Sequence, residues 1–287
     1  MEVFATKLEL RDWLATRKNG KRVLVPTMGA LHSGHTSLFD KAVEEAGANG
    51  DVVATIFVNP TQFGPDEDFD AYPRQLEGDL KQCEDHGVTA VFAPPVEEMY
   101  SSDASIRITE SSLSKYLCGA SRPGHFDGVC LVVAKLFLLT QPDAAVFGEK
   151  DFQQLAIIRR LVRDLSFPIK IIGGSTVRES DGLALSSRNA YLSPDHRSQA
   201  PVIQKTLSEA AQLIASGELA TPEEAVTWMR SEVGSAPDAI VDYLAIVDAE
   251  SLEPLLEFGK STPRLLAAVY FGKTRLIDNV GVPGNSA

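Results

Sequence analysis

The segment Val25-Pro-Thr-Met-Gly-Ala-Leu-His-Ser-Gly-His35 sets two imidazoles three residues apart among flexible backbone. Gly29 and Gly34 let the main chain approach a ligand closely, and a helix opening there presents N–H groups and its positive dipole end. His32 and His35 add side-chain donors, so the string suits the phosphates of a nucleoside triphosphate. Taken alone, it is equally consistent with two histidines that cap a helix or fill a core. Its place between a strand-like run and a helical pattern favours the phosphate reading, because ligands of doubly wound sheets bind there.

Three further strings carry compatible chemistry. In Phe147-Gly-Glu-Lys-Asp-Phe-Gln-Gln154, Lys150 is a compact cation for phosphate, and Gln154 offers an amide to hydroxyls and carboxylates. GEKD is also ordinary helix-opening chemistry. In Gly182-Leu-Ala-Leu-Ser-Ser-Arg-Asn189, the Ser186 and Ser187 hydroxyls and the Arg188 guanidinium suit phosphate oxygens as charge moves in phosphoryl chemistry. An interdomain turn would have the same composition. In Phe57-Val-Asn-Pro-Thr-Gln-Phe-Gly-Pro-Asp66, Gln62 is a neutral amide able to orient a polar acid, although a simple loop amide is the commoner meaning. Asp66, Glu67, Asp68 and Asp70 resemble a metal cluster but lack full ligand spacing; they are expected to form a solvated acidic loop, and no metal site is predicted.

Short β-branched runs must position these strings. They fall at Arg22 to Pro26, Asp51 to Val58, Ala90 to Ala93, Ala144 to Phe147 and Ile169 to Ile172. Between them lie helical patterns, so an α/β fold with a doubly wound parallel sheet is predicted. One helix aligns Leu38, Ala42, Val43 and Ala46 and stops at Gly47. Another, Phe152 to Leu165, turns Leu155, Ile158, Leu161, Val162 and Leu165 inward and Arg159, Arg160, Arg163 and Asp164 outward. The texture changes near Ser180. Thr221-Pro222-Glu223-Glu224 is a capped helix start, and the runs VDYLAIVD and RLLAAVYFG read as strands. Residues 1–178 are therefore predicted to form a first domain that carries the triphosphate string, with residues 179–287 forming a smaller α+β C-terminal domain.

Composition narrows the partners. A formal net charge of -12 over 287 residues repels phosphate backbones, so no nucleic acid partner is expected. The N-terminal segment lacks the layout of a secretory signal, and the longest apolar stretch, Val129 to Leu139, falls short of the roughly 18 residues that span a bilayer. The chain is expected in the cytoplasm, away from membranes. Cys83, Cys118 and Cys130 have no CxxC spacing and are read as reduced thiols, with Cys130 buried.

Together the strings resemble the pantothenate synthetase, or pantoate beta-alanine ligase, family, a relative of class I aminoacyl-tRNA synthetases and nucleotidyltransferases. PTMGALHSGH, FVNPTQFGPDEDFDAYPR, SRPGHFDGVCLVVAKLF, FGEKDFQQLAIIRRLVRDL, RESDGLALSSRN and TRLIDN follow the family's order across nearly the whole chain. The resemblance implies a Rossmann-like ATP domain, a smaller lid and a homodimer. It also implies condensation of pantoate with beta-alanine through pantoyl adenylate, with Mg2+ carried on ATP.

Carried across, ATP would contact Met28, Gly29, Ala30, Leu31, His32, Ser33, Gly34 and His35. Gly148, Glu149, Lys150, Asp151, Val177, Leu185, Ser186, Ser187 and Arg188 would complete the nucleotide site. His35 would donate a proton, His32, Lys150 and Arg188 would act beside the phosphates, and Gln62 and Gln154 would hold pantoate. Arg122 is a further candidate. Two positions depart from many relatives: Leu185 replaces methionine, a mild apolar exchange, and Asp127 adds charge where the family residue is often not acidic.

Overall fold

The β-branched runs pair into one parallel sheet in the computed structural model, which describes residues 1–17, 20–65, 67, 69–259 and 261–284. The chain opens with β1 (Glu2–Phe4), α1 (Lys7–Thr16), β2 (Arg22–Thr27), α2 (Ser33–Ala46) and β3 (Asp51–Ile56). It continues through α3 (Leu76–Asp85), β4 (Ala90–Phe92), α4 (Val96–Met99), α5 (Leu117–Ser121) and α6 (His125–Thr140). β5 (Ala144–Gly148), α7 (Phe152–Asp164) and β6 (Lys170–Gly174) complete this half. Strand order is β1-β4-β3-β2-β5-β6, with every neighbouring pair parallel.

Topology puts a ligand-binding position at the centre of this sheet. From β2 the chain steps outward to β3 and β4, whereas β5 pairs with the opposite edge of β2, in register Leu24 with Ala145. The winding direction changes between β2 and β5, so the segments leaving their carboxyl ends flank a topological switch point. Val23, Leu24, Val25, Val53, Ala54, Ala144 and Val146 are buried, and Phe39 and Ala42 of α2 close against the sheet. Gly47, at φ 71°, ends α2 as its stop signal predicts.

Two expected inward positions fail. Val43 is 39% exposed, because Leu38, Phe39, Ala42 and Ala46 define the stripe of α2 and Val43 lies at its margin. Leu165 is 52% exposed, because α7 ends one residue before it; Phe152, Ala156 and Ile157 of the same helix are buried. The Val129 to Leu139 run lies within α6 and is mostly buried, Leu138 being 66% exposed, and no helix of the described residues is long and apolar enough to cross a membrane.

After the parallel sheet come α8 (Pro194–Gln199), α9 (Val202–Ser216), α10 (Pro222–Val233), β7 (Ala239–Asp248), β8 (Pro263–Phe271) and β9 (Thr274–Gly281). The strands form an antiparallel sheet in the order β7-β8-β9. Thr221 and Glu224 make the reciprocal capping box at the start of α10. Leu207, Ala211, Met229, Leu265, Val269 and Phe271 sit in one core between helices and sheet. KTRLIDN lies mostly in a third strand, β9, beyond the two strand-like runs VDYLAIVD and RLLAAVYFG. The chain divides into one unit of Met1–Glu149 and Ile157–Ser175, and another of Lys150–Ala156 and Thr176–Ala287.

Candidate active site

The first unit builds the histidine segment from the end of β2. Thr27 Oγ1 donates to the Thr55 carbonyl at 2.6 Å and accepts the Gly29 N–H at 3.2 Å. The chain then turns through Gly29 at φ 82° and Ala30 at φ 52° before His32 caps α2. His32 Nδ1 accepts the Gly34 N–H at 3.1 Å, and the His32 N–H meets His35 Nδ1 at 3.4 Å. With Nδ1 accepting, each neutral imidazole carries its proton on Nε2, the arrangement that supplies a donor to an anion. The rings lie 4.2 Å apart between centroids, and Ser33 and Gly34 open the helix whose N-terminal dipole end they share.

Gln62 is held against this segment. Its Nε2 donates to Met28 Sδ at 3.1 Å, and its Oε1 accepts from Asn59 Nδ2 at 3.0 Å. Asn59 is buried and also bonds the Gly128 carbonyl, Thr61 and the Tyr100 hydroxyl. A Cβ on Gly128 would lie 2.1 Å from the Thr61 carbonyl oxygen, so only glycine lets α6 approach this turn. Sequence reasoning passed over Asn59, whose signal is an asparagine capping the Pro60–Gln62 turn. Gly148 ends β5, and Glu149 follows it at the carboxyl end beside β2.

Arg122 and Asp127 have structural partners in this unit. Arg122 bonds both Glu67 carboxylate oxygens, with Nε to Oε1 at 2.7 Å, and reaches the Gln62 carbonyl at 3.4 Å. His125 Nδ1 meets that same carbonyl at 2.7 Å. Burial pushes the Glu67 carboxyl up, but the Arg122 bonds and charge outweigh it, leaving a value below the ordinary one. Asp127 Oδ1 accepts the Glu110 N–H at 2.9 Å, so this carboxylate holds a loop. Of the acidic string, Asp66 and Asp68 lie outside the described residues. Among the described residues no group of three or more His, Cys, Asp or Glu is placed to hold a metal ion.

The second unit carries Lys150, Asp151 and Gln154 together with Val177 and Leu185 to Arg188. Lys150 Nζ lies 3.9 Å from Asp151 Oδ2, and its carbonyl accepts Asn279 Nδ2 at 2.9 Å. Asn279 Oδ1 in turn accepts Arg264 Nε at 2.8 Å, and the Arg264 guanidinium lies 4.3 Å from the centroid of the Phe152 ring. Asp278, the neighbouring residue on β9, takes Arg178 in a fork of 2.6 and 2.9 Å bonds. Arg178 belongs to the turn that delivers the serine–arginine segment: Leu185 N–H bonds the Val177 carbonyl at 3.0 Å, and Arg178 Nη1 bonds the Gly182 carbonyl at 3.1 Å. Ser186 then caps a short helix, its Oγ accepting the Arg188 N–H at 3.3 Å. Gln154 is half-buried in the first turn of α7.

A family model described as pantoate-beta-alanine ligase matches residues 2–281. The chain belongs to the pantoate-beta-alanine ligase family. It is 52% identical over 283 residues to the pantothenate synthetase of Akkermansia muciniphila, covering 98% of this chain and 99% of that relative. The pantothenate synthetase of Moorella thermoacetica is 50% identical over 284 residues, with 98% of both chains covered. Among solved structures, pantothenate synthetase from Thermus thermophilus superposes with a TM-score of 0.91 at 46% identity, covering 98% of this chain and 99% of that one. The pantoate-beta-alanine ligase from Francisella tularensis, complexed with beta-gamma ATP and beta-alanine, gives a TM-score of 0.79 at 33% identity over the full length of both chains. The parallel sheet followed by a small antiparallel domain is thus the architecture of the pantoate-beta-alanine ligase family.

Proposed function

We infer that this chain catalyses the reaction of its family, the ATP-dependent condensation of (R)-pantoate with beta-alanine. Membership across residues 2–281 carries the reading. Pantoate is ionised at neutral pH, so the first step needs positioning and charge compensation more than a base. Its carboxylate oxygen attacks the α-phosphorus, the bond to the bridging oxygen breaks, and pyrophosphate leaves pantoyl adenylate behind. The neutral amine of beta-alanine then attacks the acyl carbon, AMP departs with the bond electrons, and the amine loses a proton to give pantothenate.

We assign ATP to Met28 to His35, Gly148 to Asp151, Val177 and Leu185 to Arg188. His32, His35, Lys150 and Arg188 stabilise charge on the departing pyrophosphate, and Mg2+ enters with ATP as part of the substrate. The Nδ1-accepting histidines support the donor role, and the Met28 bond to Gln62 supports seating pantoate beside the nucleotide. Gln154 is the second pantoate amide. A lid role for residues 179–287, a homodimer and a cytoplasmic location belong to the same proposal and rest on the sequence blocks shared with the family.

Product analysis tests it. ATP, pantoate and beta-alanine supplied singly and together should give AMP and pantothenate only when all three are present. A stable nucleotidylated pantoate, with no amide formed, would overturn the ligase reading.

A further inference from the structure

We propose that Asp79, assisted by Gln82 on the same helix, is a positioning residue that clamps the Gly29–Leu31 turn in the shape the nucleotide requires. The proposal rests on the assignment of Met28 to His35 to ATP. Asp79 lies in α3 and is 1% exposed, a costly place for a carboxylate unless both oxygens are bonded. They are. Oδ2 accepts the Ala30 N–H at 2.9 Å, and Oδ1 accepts the Leu31 N–H at 2.8 Å and Gln75 Nε2 at 3.3 Å. Gln82 Nε2 donates to the Leu31 carbonyl at 3.1 Å, so α3 holds both main-chain groups of Leu31, its N–H and its carbonyl.

The turn needs this grip. Gly29 stands at φ 82° and Ala30 at φ 52°, the left-handed region that an L side chain such as alanine rarely adopts. Thr27 Oγ1 fixes only the start of the turn, at the Gly29 N–H. A Cβ on Gly29 would lie 2.8 Å from Asp79 Oδ2, so the carboxylate also explains the glycine. Two successive N–H groups require an acceptor on each oxygen, which a carboxylate offers and an asparagine does not. A negative charge beneath an anion-binding turn opposes phosphate, so direct ligation is the wrong role for Asp79; fixing the turn that leads into His32 is the role its bonds support.

Asp79→Asn in the full chain should lower pantoate-dependent exchange of pyrophosphate into ATP by roughly tenfold to a hundredfold, the scale of a misplaced site, per folded molecule. Adding Ala30→Gly, which adopts the turn without strain, should restore about fivefold. Gln82→Leu removes one bond and should cost about threefold or more; it serves if the first variant does not fold. Parental exchange per folded molecule in Asp79→Asn, or in Gln82→Leu, overturns the clamp, and so does a glycine that restores nothing. His35→Ala is measured beside them: unchanged exchange there overturns the ATP assignment, whereas its loss with parental Asp79→Asn overturns the clamp alone.

Discussion

Asn279 holds Lys150 through a side chain 3% exposed, and replacing it separates two effects. Asn279→Ala removes the donor to the Lys150 carbonyl and the acceptor of the Arg264 guanidinium. A neutral bond contributes about 1 kcal/mol and a charged one about 2 kcal/mol, so the variant should lose about 2 kcal/mol or more, on the order of 10 °C for a unit of this size. Catalysis should suffer separately, because a displacement of about 1 Å at Lys150 slows adenylate formation by roughly tenfold to a hundredfold. Asn279→Asp keeps an acceptor for Arg264 but turns an oxygen toward the Lys150 carbonyl. It should retain most of the lost stability and still be slow. Thermal unfolding by circular dichroism and pantoate-dependent pyrophosphate exchange give both quantities. Parental exchange in Asn279→Asp would refute positioning of Lys150 through this bond.

Gln62→Ala and Gln154→Ala should raise the KM for pantoate about tenfold while changing that for ATP less, as loss of uniform binding to one ligand requires; equal losses in steady-state kinetics contradict the assignment. Arg122→Ala should destabilise at neutral pH. The Arg122 bonds hold the Glu67 carboxyl below its ordinary value near 4.5, so the pair's stability is present above that value and lost as pH falls through the folded one. The difference in Tm between parent and variant should therefore shrink as pH falls from 4.5 through the lower folded value, and a difference that grows with acid contradicts this. Burial, helped by Asp79, pushes the Cys83 thiol up to about 12; burial, helped by Glu110 and Asp127, does the same at Cys130. Both should resist iodoacetamide in the folded protein at pH 8 and react in urea, and rapid labelling of the folded chain, read by peptide mass, would contradict their burial.

Periodicity and chemistry made much of this legible beforehand. The buried strands announce themselves because a parallel sheet covered on both faces selects continuous apolar runs rich in valine, as in Val23 to Val25 and Val52 to Ala54. Edges were less visible: Glu2–Phe4 is short and half-polar, and its pairing with β4 is decided by tertiary context. Val43 and Leu165 show the limit of counting by helical steps, since a margin residue and a residue past the helix end share the periodicity of the core.

Motif strings likewise expose side chains that face a ligand and conceal those that hold the backbone. Asn59 lay inside a string already singled out, yet its bonds run to Gln62 and Gly128, which no local spacing encodes. Asp79 sits four residues before Cys83 on the buried face of α3, and no motif string includes it. Asp278 and Asn279 were quoted as part of TRLIDN without a role, because Arg178 and Lys150 meet them only after folding.

Exchange of labelled pyrophosphate into ATP, with pantoate present and beta-alanine absent, isolates the adenylation step. The parent chain should exchange only when pantoate is supplied, and His35→Ala and Lys150→Ala should each lose about a hundredfold or more. Exchange in both variants at the parental rate would contradict the assignment of imidazole and ammonium to the departing pyrophosphate.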